Sequence, residues 1–83
     1  MGKKEKLIKK LKSLPRDMTF EEMQTLLSLL GYEMYNKGKT SGSRVKFLRG
    51  NSAIILHKPH PRKELLLYQV KQIEQSLSEE GLI

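Results

Sequence analysis

Proline and glycine cut this chain into short lengths before any other pattern acts on it. Pro15 ends a helix near Ser13, because the residue before a proline is disfavoured in helical conformation. Gly31 suits the left-handed position that closes a helix, and Gly50-Asn51-Ser52 is a hairpin turn signal. Pro59 and Pro61 stop a strand from running on, and Gly81 closes the last segment. Between these marks the hydrophobic period switches from helical to alternating and back again. The total of 83 residues allows one small domain, which excludes a two-domain enzyme or a large cofactor-binding fold. Such a domain buries only about 60% of its extended-chain surface, so its stability is expected to be modest. With no Cys there is neither a disulfide framework nor a thiolate metal site, an expectation that fits a reducing, cytoplasmic setting.

The segments read as follows. Lys4–Leu14 carries Leu7, Ile8, Leu11 and Leu14 at helical spacing, a basic helix or arm. Thr19 and Glu22 stand at capping-box spacing, with Met18 and Met23 at the two staple positions. Phe20, Met23, Leu26, Leu27 and Leu30 then line one face of a helix predicted over Phe20–Leu30. Tyr32–Asn36 is a short β-prone run. Ser43–Arg49 alternates, with Val45 and Phe47 on one side and Arg44 and Lys46 on the other. Ala53–His57 is another β-prone run, and Leu66, Val70, Ile73 and Leu77 form the stripe of a final helix. The order helix, helix, three strands, helix predicts an α+β fold, with helices on one face of an antiparallel sheet. The other face is then free to carry cations.

Charge is distributed in blocks. Of the formal +7, residues 1–12 hold +5 and residues 13–36 hold −3; residues 37–63 hold +8 and residues 64–83 hold −3. The +8 block has eight cations and no acid, so it cannot neutralise itself locally. Gathered on one face it would attract phosphates or an acidic partner; otherwise it is a solvated basic surface. No apolar run approaches the ~18 residues of a membrane span. The Lys-rich start lacks the apolar core and cleavage site of a signal peptide. A membrane-surface role for the first helix would rest on a short apolar face without an aromatic anchor.

The candidate chemistry lies in the +8 block. Lys37-Gly38-Lys39-Thr40 resembles the end of a phosphate-binding loop, but that loop needs a glycine where Glu33 stands, and a helix after it. A glycine-rich loop whose two lysines approach a nucleic-acid backbone is the smaller claim, beside that of an ordinary hairpin loop. His57 and His60 lack a third ligand nearby, and zinc normally takes at least three from the protein, so no metal site is expected. Histidine suits acid–base work, because it needs only a small shift to titrate near neutrality. Cleaving RNA without a metal or other cofactor requires a base for the 2′-hydroxyl and an acid for the leaving oxygen. Lys58, Arg62 and Lys63 stand close enough in sequence to stabilise the added phosphate charge. The competing role for His60 is to cap a loop stiffened by its two prolines. Among the aromatics, Phe47 suits the core, while Tyr32 and especially Tyr35 are placed to stack bases.

Taken together, these residues resemble the HicA-type toxins of bacterial toxin–antitoxin modules. The resemblance covers roughly Met18–Ile83. It rests on Gly31-Tyr32, Lys37-Gly38, Gly42-Ser43 ahead of a strand ending in Phe47, and Pro59-His60-Pro61-Arg62-Lys63-Glu64-Leu65, then the Val70 and Ile73 helix and Gly81-Leu82-Ile83. It implies a small α-β-β-β-α sandwich like double-stranded-RNA-binding domains over residues 18–83, with a last helix starting near Leu67; residues 1–17 stand outside it as an extra basic N-terminal helix or arm. It also implies an mRNA-cleaving toxin (an endoribonuclease) neutralised by a HicB-like antitoxin. The family's proposed catalytic histidine directly follows Gly-Ser, and here that position is Arg44. Arginine stays protonated and cannot serve as a general base, although it can hold phosphate through two parallel hydrogen bonds. Either catalysis has moved to His57 or His60, or the chain binds RNA or an antitoxin without cutting. The expected site is therefore His60, His57 and Arg44 for chemistry, with Lys37, Lys39, Ser43, Arg44, Lys46, Lys58, Arg62 and Lys63 on RNA.

Overall fold

The computed structural model describes residues 2–35, 44–59 and 62–83. Its elements are α1 (Lys3–Lys12), α2 (Phe20–Leu29), β1 (Glu33–Tyr35), β2 (Arg44–Arg49), β3 (Ser52–His57) and α3 (Leu67–Glu79). The strands form an antiparallel sheet in the order β1-β2-β3. This is the expected α+β architecture, and the part after α1 has the α-β-β-β-α order of double-stranded-RNA-binding domains.

Local chemistry sets the element ends. Glu22 donates its backbone N–H to Thr19 Oγ1 at 3.1 Å, while Thr19 donates its own N–H to Glu22 Oε1 at 3.0 Å. This closes the capping box and satisfies two donors that a helix start leaves free. Both staple residues, Met18 and Met23, are fully buried. Gly31 closes α2 with φ +99°, and Tyr32 donates its N–H to Leu27 O at 2.9 Å. Gly81 repeats the motif at φ +75°, with Leu82 donating to Leu77 O at 3.0 Å. At the β2–β3 turn Arg49 pairs with Ser52, leaving Gly50 and Asn51 as a two-residue loop. Gly50 supplies the positive φ, +57°, that the tight turn demands. The predicted turn is thus one residue shorter, with Ser52 already in the strand.

The core lies between the sheet and the helices. Phe47, Ile54 and Leu56 face Phe20, Met23, Leu26 and Leu27 of α2 and Val70, Ile73 and Leu77 of α3, all buried. The Phe20 and Phe47 rings meet at 6.5 Å in a tilted arrangement. The N-terminal helix joins this core: Leu7 and Leu11 are buried, Ile8 and Leu14 pack against the cluster, and α1 contacts both α2 and α3. Its apolar stripe is therefore turned inward. Leu14 ends it in a left-handed conformation, φ 51°, where glycine or asparagine would be the ordinary choice.

A second tie fixes α1. Lys10 Nζ donates to both carboxylate oxygens of Glu22, at 2.8 and 3.0 Å. Hydrogen bonding to Glu22 raises the Lys10 pKa against the opposing effect of burial. Burial alone would push the Glu22 carboxyl up, but the bonds from Lys10 and Thr19 outweigh it and hold the pKa below the ordinary value.

Candidate functional site

Strand register decides which side chains meet on the open face of the sheet. In β2, Val45 and Phe47 turn toward the helices, so Arg44, Lys46 and Leu48 turn away. In β3, Ile54 and Leu56 point inward, so Ala53, Ile55 and His57 point outward. The register pairs Arg44 with His57, Lys46 with Ile55 and Tyr35, and Leu48 with Ala53 and Glu33. Directly opposed residues on one face of an antiparallel pair have Cβ atoms roughly 5 Å apart. Arg44 and His57, both exposed, are therefore immediate cross-strand neighbours at the end of the sheet. One row further in, Lys46 Nζ lies 5.9 Å from the centroid of the Tyr35 ring, which is 43% exposed.

His57 is held from behind by a residue that carried no functional expectation. Gln69, 7% exposed, donates Nε2–H to the His57 carbonyl at 3.1 Å and accepts the Leu66 N–H on Oε1 at 2.9 Å. One amide thus caps α3 and pins the end of β3. Its sequence signal was the three-residue spacing to Leu66, which goes unnoticed when the N-cap is not Ser, Thr, Asp or Asn.

The other described cations of the +8 block, Arg49, Lys58, Arg62 and Lys63, do not share the sheet face. Arg49 faces the helix side and donates Nε–H to Leu30 O at 3.0 Å. Lys58, one residue past His57, also turns to the helix side, and its ammonium lies 5.4 Å from the Phe20 ring centroid. Lys58, Arg62 and Lys63 border a cleft of about 400 Å³ with Thr19, Glu21 and Gln24 at the start of α2. The cleft exists because Met18–Phe20 pairs with Lys63–Leu65. Leu65 donates its N–H to Met18 O at 2.8 Å, and Phe20 donates to Lys63 O at 3.3 Å, around an isolated Thr19–Glu64 bridge. For the described residues, the expectation of one basic face is corrected: Arg44 and Lys46 lie on the open face and Lys58, Arg62 and Lys63 at the cleft, separated by side-chain alternation at the end of β3.

Lys37, Lys39, Ser43 and His60 lie outside the described residues. Tyr32 is 3% exposed and its hydroxyl pairs with Ser52 Oγ at 2.9 Å, so it stacks in the core rather than on a ligand. Phe47 is likewise core. Among the described residues no three His, Asp or Glu side chains gather as metal ligands, and no helix is long and apolar enough to cross a membrane.

A small α+β domain with a three-stranded sheet, one open basic face and helices on the other is the class these features define. The family model described as HicA toxin of bacterial toxin–antitoxin matches residues 20–79, and the chain belongs to that family. It is therefore the toxin component of a toxin–antitoxin module, and an antitoxin is its implied partner. The matched span begins at α2, so α1 stands outside it. No curated protein and no solved structure matches the chain.

Proposed function

We propose that this toxin binds single-stranded mRNA on the open face of its sheet and cleaves it without a metal, with His57 and Arg44 as the reacting pair. The observation that carries this reading is their cross-strand pairing on an exposed face. The family's histidine position holds Arg44, yet an imidazole stands directly across from it on the neighbouring strand. In this mechanism the His57 imidazole takes the proton of the 2′-hydroxyl as the 2′-oxygen attacks phosphorus. The bond to the 5′-oxygen breaks, that oxygen is protonated by a second acid, and a cyclic phosphate and a 5′-hydroxyl result. Arg44 donates to the non-bridging oxygens, whose negative charge grows in the transition state. Tyr35 offers a base-sized surface with Lys46 beside it for the adjoining phosphate. Gln69 acts as a positioning residue through the His57 carbonyl.

His60 is the second candidate for acid–base work, and Lys37, Lys39 and Ser43, which precede β2 in the sequence, extend the proposed RNA contact. Residues 18–83 form the RNA-binding domain in this proposal, and residues 1–17 add a basic helix. The partner is a HicB-like antitoxin and the setting is the cytoplasm, where mRNA is available.

The test is inducible expression with growth and mRNA 5′-end mapping for the native chain, His57→Ala, His60→Ala and Arg44→His. Removing a general base lowers cleavage by about 10²–10⁴-fold, so His57→Ala is expected to abolish cleavage while RNA binding survives. Undiminished cleavage by His57→Ala refutes the assignment. The position of Arg44 also supports a second reading, a toxin subunit that binds RNA or antitoxin without cutting. Cleavage absent from the native chain and present in Arg44→His would establish that one instead.

A further inference from the structure

We propose that the cleft between the start of α2 and the segment after β3 is a phosphate site. It would seat a backbone phosphodiester of RNA that continues off the open sheet face, an inference resting on the RNA reading above. Lys58, Arg62 and Lys63 converge on this cleft of about 400 Å³. Both ion pairs among the described residues belong to Lys10, so none of these three cations is neutralised there. Glu21 is the one acidic side chain in the lining, which leaves an excess of two positive charges. An excess of cation in a concave site draws an anion in from solution.

The kind of anion follows from the donors. Arg62 offers a planar fork that matches phosphate oxygens, and the two lysines add point charges. The Lys58 ammonium is already placed by the Phe20 ring at 5.4 Å, and that ring is only 7% exposed. The floor of the cleft is therefore a positioned cation rather than a stacking surface, which suits a phosphate and not a base. Two of the first three N–H groups at the start of α2 are already engaged. The Phe20 N–H is taken by Lys63 O and the Glu22 N–H by Thr19 Oγ1. The side chains supply the charge.

Alternation at the end of β3 links the cleft to the sheet. His57 turns to the open face and Lys58, the next residue, turns to the cleft. A strand whose reacting phosphate lies between Arg44 and His57 passes around this edge and brings a following phosphate to Lys58, Arg62 and Lys63.

The experiment uses the full chain and two probes. Inorganic phosphate is titrated by ¹⁵N-resolved NMR, and a fluorescent RNA oligonucleotide, with 5′-hydroxyl or 5′-phosphate, is titrated by anisotropy at several salt concentrations. Phosphate is expected to move the amides of Phe20, Gln24 and Lys58, and the Arg62→Ala/Lys63→Ala variant to lose those shifts. The same variant is expected to bind RNA about 10-fold more weakly, with a log–log salt slope shallower by about 0.7. Equal affinity for the two RNA ends supports an internal diester; binding that requires the 5′-phosphate overturns it. Unmoved cleft amides, or unchanged RNA affinity in the double variant, overturn the site. So do shifts produced by a polyglutamate peptide and not by phosphate, which would assign the cleft to an acidic protein. Lys46→Ala separates the two claims, because it weakens RNA binding and leaves the phosphate shifts in place. Cleft shifts without any RNA affinity refute the proposed function and leave the phosphate site standing.

Discussion

Leu11→Ala measures whether α1 is part of the folding unit. Leu11 is fully buried, and α1 reaches both α2 and α3. Truncation to alanine removes three carbons, each worth about 0.8 kcal/mol of transfer from water. The void they leave adds to this, since leucine-to-alanine changes at buried sites cost roughly 3–5 kcal/mol. The expected loss is about 3 kcal/mol. A domain of this length carries a total stability on the order of 4–12 kcal/mol, so the variant should be severely weakened. Urea unfolding followed by circular dichroism reads the effect, as there is no Trp to report by fluorescence. Leu29→Ala is the control: Leu29 lies on α2 but is 44% exposed, and its loss should cost under about 1 kcal/mol. The native and variant transitions should share one slope in urea if α1 unfolds with the rest. A Leu11→Ala cost no greater than that of Leu29→Ala would refute the argument and make α1 a detachable arm.

The Lys10–Glu22 tie predicts a pH dependence. Glu22 has a folded-state pKa below its unfolded value near 4.5, so its contribution is present above that value and is lost as pH falls through the folded pKa. The raised Lys10 pKa places the opposite limit above 10.5, where stability is lost as pH rises. Lys10→Met should therefore cost about 1 kcal/mol near neutrality, and the gap to the native chain should close in acid below about pH 4. A gap unchanged in acid would disprove the tie. Gln69→Leu keeps the side chain's bulk but orphans the Leu66 N–H and the His57 carbonyl. It should cost about 2 kcal/mol in urea unfolding and raise hydrogen exchange at Leu66. Full protection at that amide would exclude the capping role.

Much of the fold was legible because its signals are local. Thr19 and Glu22 meet within one helical turn, Gly31 and Gly81 relieve a backbone problem where they stand, and Val45 and Phe47 share a face whatever pairs with them. Arg44, at the position where the resemblance implies a histidine, could likewise be read directly. What could not be read was the partner of each side chain across the sheet. Arg44 and His57 are 13 positions apart, and a register slip of one residue would turn every side chain of β3 to the other face.

The sequence by itself determined the element order, the helix ends, the alternation of β2 and the concentration of cations in residues 37–63. Only the tertiary structure decided how the described cations among them divide: Arg44 and Lys46 onto the open face, Arg49 onto the C-terminal end of α2, and Lys58, Arg62 and Lys63 into the cleft. It also decided that the Lys-rich helix spends Leu7 and Leu11 in the core. The physical reason is the range of the forces involved. Caps, turns and periodicity act within a few residues, whereas strand register and the Met18–Leu65 pairing join segments far apart in the chain, through contacts that form only when the core closes.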